Sequence, residues 1–192
     1  MPGTIPIDRE WVAAELVKSL DVEKSLAASA EGRAESPPEE GLSVLYHEIA
    51  EADERHARAI ETVATRYGHT PGRAPSGKVG KVWDQIKDKV GKLAAGPLDQ
   101  LAADLDGKAH AIHRLVAWSK ALAALGDADG AREISAVLAE EQAHRDALQD
   151  AFDRLLLRRC TEVEEPAKEE APKAEPAIEA IPAPAPTPAP AT

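Results

Sequence analysis

Three segments of this chain carry apolar residues at the spacing of an α-helix, and each has an ionisable residue near the middle of its stripe. The first reads Val12, Leu16, Leu20, Glu23 and Ala27, with Ser19 and Leu26 on its flank. The second reads Leu42, Leu45, Ile49, Ala52 or Asp53, His56, Ile60 and Val63. The third reads Ile134, Val137, Leu138, Glu141, His144, Leu148, Phe152 and Leu155. A period of 3.6 puts such positions on one face of a helix, and that face must be buried against another apolar face. Leu98, Leu101, Leu105, Ile112, Leu115, Val116 and Leu122 form a fourth stripe with no acid at its centre. An all-α chain of four long antiparallel helices follows, with polar side chains meeting halfway along the core.

Composition and local signals agree with that reading. Hydrophobic residues make up 43 % of the chain and aromatics only 3 %, which suits helices better than strands. Asp8 is placed to cap the first helix, which is expected to end near Glu31-Gly32. Ser36 and Glu39, with Pro37 between them, have the spacing of a capping box for the second helix, and Tyr67-Gly68 stops it. Gly96-Pro97 opens the third helix, and Gly126 to Gly130 turn the chain into the fourth. In that turn, Asp127 to Gly130 lack the first acid and closing Glu of a calcium loop and read as turn chemistry.

The segment from His69 to Ser76 reads as a loop, and about residues 78–94 as a short inserted amphipathic helix. One side of it holds Val79, Val82, Trp83, Ile86, Val90 and Leu93, the other Lys78, Lys81, Lys87, Lys89 and Lys92. Covering a face of the bundle is the expected role of Lys78–Leu93, with contact to an anionic membrane surface the lesser alternative. Residues 161–192 are rich in Pro, Ala and Glu and are expected to form a disordered acidic tail, a solubilising appendage or a docking peptide for a protein partner. Residues 1–160 then form the folded domain.

The formal net charge of −11 argues against a nucleic-acid partner, because neutralising phosphates needs a basic surface. Neither a signal peptide nor a membrane span is expected, and the lone Cys160 is compatible with a reducing cytosol, so the expected location is cytoplasmic.

Glu141-Gln-Ala-His144 and the shorter echo Asp53-Glu-Arg-His56 each place an acid and an imidazole three residues apart on one helical face. A dinuclear metal site of the four-helix carboxylate type takes two such pairs plus one inward carboxylate from each of the other two helices. Glu23 supplies one. Stepping back from Glu141 by the Glu23-to-Asp53 interval lands on Ala111, where the second carboxylate should stand. His110 and His113 lie within a turn of Ala111, with Asp106 at the margin, and are candidate substitutes. The candidate metal ligands are therefore Glu23, Asp53, His56, His110, His113, Glu141 and His144, and oxygen and imidazole donors of this kind suit iron or manganese.

Glu23-Lys-Ser-Leu, the run HEIAEADERHARAIETVATRYGHTP, and RLVAWSKALAALG followed by LAEEQAH resemble the YciF-like stress-response branch of the ferritin-like superfamily over about residues 15 to 157. The resemblance implies a ferritin-like antiparallel four-helix bundle, usually a homodimer, linked to bacterial stress responses. Ala111 in place of the third-helix acid, Asp53 in place of the longer Glu, and the inserted segment depart from that pattern.

Two functions are consistent with these residues. One is a metal-binding protein with an iron or manganese site, possessing or lacking enzymatic activity. The other is a non-catalytic stress or scaffold dimer whose polar core is vestigial and fixes the register of its helices.

Overall fold

The computed structural model describes residues 7–72 and 96–161. Among them are four helices and no strand: α1 (Arg9–Glu35), α2 (Ser43–Arg66), α3 (Pro97–Ala124) and α4 (Ala128–Thr161). The inserted helix expected at 78–94 and the tail beyond Thr161 lie outside the described residues.

Most of the sequence signals act where they were expected. Asp8 caps α1 by accepting a hydrogen bond from the Trp11 amide. Tyr67 closes α2, and Gly68 takes the positive φ of 105° that follows it. Gly96 precedes α3, with Pro97 in its first turn, where the missing N–H costs nothing. Asp127 accepts from the Gly130 amide at 2.8 Å at the start of α4.

The first interhelical turn differs. Gly32 does not end α1, which continues to Glu35 and uses Ser36 as its C-cap, the Ser36 amide donating to Gly32 O. With Ser36 taken by the preceding helix, the expected capping box does not form. α2 begins later, at Ser43, and Ser43 Oγ donates to Ala34 O at 2.7 Å. Gly41, with φ 94°, makes the reversal that places the two helices side by side.

α1 packs against α2 and α3 against α4, with α2–α4 and α1–α3 contacts joining the two hairpins. The core has two apolar ends. One gathers Leu16, Leu20, Ile60, Val63, Leu115, Leu122 and Ile134; the other gathers Ala34, Tyr46, Ile49, Leu101, Leu148 and Leu155. These memberships give the directions: ascending numbers in α1 and α4 run from the first end to the second, and in α2 and α3 the reverse. Gly107 lets α3 approach α1 closely, since a Cβ there would sit 3.0 Å from Leu26 Cδ2. Between the two apolar ends lies a layer of charged side chains.

Candidate metal centre

Each helix contributes at least one ionisable group to this layer. Glu23 comes from α1, Asp53 and His56 from α2, Lys108 from α3 and Glu141 from α4, with exposures of 1 %, 0 %, 2 %, 2 % and 0 %. Burial so complete is uncommon for charged residues and requires partners. The three acids and His56 each offer a ligand atom within 4.8 Å of those of the other three. They are thus close enough to share one cation.

Lys108 already supplies a cation to two of them. Its Nζ donates to Asp53 Oδ1 at 2.6 Å and to Glu141 Oε1 at 2.9 Å. His56 supplies a second. Its Nδ1 lies 2.9 Å from Glu141 Oε1, 3.7 Å from Asp53 Oδ1 and 3.8 Å from Glu23 Oε2, while Nε2 reaches Glu140 Oε2 at 3.1 Å.

Burial alone would strip the proton from His56. The hydrogen bonds and charges of Glu141 and Glu23 reverse that and raise its pKa to about 10. As an imidazolium it donates to Glu141 on one side and Glu140 on the other. Burial also opposes the Lys108 charge, but Asp53 and Glu141 overcome it and push the pKa up. Among the acids, burial raises Asp53, and the Glu141 charge adds to the rise against Lys108. Glu141 goes the other way: burial would raise it, yet His56 and Lys108 hold it below the usual carboxylate range. Burial raises Glu23 as well, against the hydrogen bond from His56, so three acids face two cations in a layer that disfavours their full ionisation.

Hydrogen bonding remains incomplete. Glu23 Oε2, Asp53 Oδ2, Glu141 Oε2 and His144 Nδ1 are all buried without a hydrogen-bond partner. Orphan acceptors of this kind are rare inside proteins, and a bound cation is one way to satisfy them. The orientation of His56 also suits a ligand, since one ring nitrogen faces the acids while the other is fixed by a carboxylate.

Of the seven residues proposed from sequence, Glu23, Asp53, His56 and Glu141 meet at this point. His144 stands beside them, its ring 6.2 Å from that of His56, and burial followed by the Lys108 charge lowers its pKa and favours the neutral form. It lies outside the group of four. His110 and His113 are exposed on α3 and do not substitute for the missing acid. At about 100° per residue, position 110 points roughly opposite Lys108, and Ala111 returns to the inner face, where it packs with Val22 and Leu26.

Lys108 and Glu140 were not foreseen. For Lys108 a signal existed: Leu101, Lys108, Leu115 and Leu122 recur every seven residues, and all four are buried. Glu140 carried none, because its role arises only from the edge of His56 that reaches it.

No family model, curated protein or solved structure matches this chain. No helix among the described residues is long and apolar enough to cross a membrane.

Proposed function

We propose that this protein binds one divalent metal ion, iron or manganese, in the middle of a ferritin-like bundle, with Glu23, Asp53, His56 and Glu141 as its ligands. The observation that carries this reading is that Glu23, Asp53, His56 and Glu141, all buried and drawn from three helices, each bring a ligand atom within 4.8 Å of the others, while each acid also keeps one buried oxygen without a hydrogen-bond partner. Oxygen donors with one imidazole suit these metals. Glu140 would hold the far edge of His56 and so fix the nitrogen aimed at the ion. A single ion fits better than the pair expected from the sequence, because α3 brings Lys108 and Ala111 where a dinuclear centre needs a fourth acid. The bound ion would supply charge compensation and, if open positions remain, Lewis acidity or redox chemistry.

Lys108 favours a second reading, a metal-free structural bundle in which its ammonium is the permanent cation. The stress-response role and the homodimer implied by the YciF-like resemblance are compatible with either.

Elemental analysis of the full chain, purified after expression with iron and manganese, separates the two. About one metal per chain, lost in Glu141→Ala and Glu23→Ala, supports the first reading. A parent free of metal with a normal melting transition supports the second and overturns the first.

A further inference from the structure

We propose that Lys108 is a displaceable stand-in for the metal, its ammonium moving to Asp104 when an ion enters. This rests on the metal-binding reading above and adds the means by which the site is kept closed and then opened. The Lys108 Nζ engages Asp53 and Glu141, two of the four ligands, and does so through one oxygen of each. Two cations crowded on those carboxylates repel, so an ion taking up both acids works against an ammonium at 2.6 and 2.9 Å.

A second seat for the ammonium lies one turn away. Asp104 is four residues before Lys108 on α3, and i,i+4 side chains share a face. Its carboxylate is largely buried. Tyr46 Oη donates to it at 2.7 Å and Arg33 Nε at 3.2 Å, both ending on Oδ2 and leaving Oδ1 for a further donor. A cavity of about 20 Å³ lies between the two seats, lined by Asp53, Asp104, Lys108 and Tyr46 among others. That is room for one small polar group, and an ammonium is about the size of a water molecule. Flexible along its four methylenes, lysine can swing between two acids without backbone movement. Asp104 would then stabilise the displaced charge, so that the positive group stays paired throughout.

The consequence is an exchange of cations: the ion takes the place of the ammonium, and His56, to offer a lone pair at Nδ1, gives up the proton there to solvent. The metal-free core keeps its buried acids paired with Lys108, and metal affinity is set by the difference between the two seats of that lysine.

Binding of Mn²⁺ to the full-length protein, followed by loss of the free-ion EPR signal, tests this. Lys108→Met is expected to tighten Mn²⁺ binding about tenfold or more, because the competitor is gone. Asp104→Asn is expected to weaken it several-fold, because the released ammonium loses its destination. In the double variant the Asp104→Asn effect should vanish, which a merely structural role of Asp104 would not produce. If Lys108→Met loses its helical circular dichroism, Asp104→Asn alone still reads the exchange in an intact core.

Mn²⁺ bound equally well, or less well, by Lys108→Met overturns the displacement while leaving the metal site standing. An unchanged affinity in Asp104→Asn removes the second seat. Absence of Mn²⁺ binding in the parent and in Lys108→Met alike overturns the metal reading and this inference together.

Discussion

The two helical hairpins are built to the same plan and fill the central layer differently. α1 and α2 bring Glu23, Asp53 and His56, an acid followed at a fixed interval by an acid and a histidine. α3 and α4 bring Ala111, Glu141 and His144 at the matching positions, and the second hairpin adds Lys108 one turn before Ala111. The first hairpin sets an acid on each of its helices with a histidine beside them; the second sets an alanine at the position matching Glu23 and a lysine one turn from it. An apolar replacement alone would have left three carboxylates facing one imidazolium. With Lys108 nearby, the layer is close to neutral without any ion, and a buried polar cluster can persist only if its charges are matched.

Breaking the asymmetry at its source should have the largest effect. Lys108→Ala leaves Asp53 and Glu141 without their shared donor and is expected to destabilise the metal-free protein by about 3–5 kcal/mol in urea unfolding. A loss under about 1 kcal/mol would mean the lysine contributes little to the layer. Ile60→Ala, in the apolar end beside the layer, should cost about 2–5 kcal/mol through lost burial and a cavity, independent of added Mn²⁺. The contrast in metal dependence, more than in size, separates the polar layer from the core around it.

Making the hairpins alike is the next test. Ala111→Glu places an acid where α1 has Glu23, at a cost of about 1–3 kcal/mol for overpacking against Val22 and Leu26. In a Lys108→Met background it should move the Mn²⁺ content from one towards two per chain. A stoichiometry fixed at one would show that something other than the missing acid separates the halves.

The proton inventory gives a milder, pH-dependent test. His56 is raised from 6.5 to about 10 in the folded protein, so its contribution to stability is complete below about pH 6.5 and is lost as pH climbs through 10. The melting temperature of the metal-free protein should fall over that interval, and His56→Gln should flatten the fall. Smallest of all, Glu140→Gln removes a half-exposed partner of His56 and should change stability by about 0.2–1 kcal/mol, while weakening Mn²⁺ binding if His56 is a ligand. An affinity equal to that of the parent would argue against His56.

Much of this was written in the chain. Glu23, Asp53 and Glu141 stood out because an acid on an apolar stripe needs an explanation, and that argument depends on helical period alone. Lys108 was harder to see, because lysine usually extends along a helix to reach water and is rarely read as interior. Its seven-residue step with Leu101, Leu115 and Leu122 was the available clue. His110 and His113 misled through closeness in sequence, being adjacent to Ala111 along the chain but turned away from the core. The failed capping box at Ser36 has a similar cause: two helices competed for one residue, and a local motif does not decide which of them takes it.

One edge of the His56 ring faces the buried Glu141 and the other meets the half-exposed Glu140. The ring therefore forms a short bridge from the buried layer to a side chain at the surface. Nε2 is the ring atom that meets a side chain open to water, while Nδ1 stays among the buried acids. Through this one ring, the charged centre of the described bundle touches a side chain that water reaches.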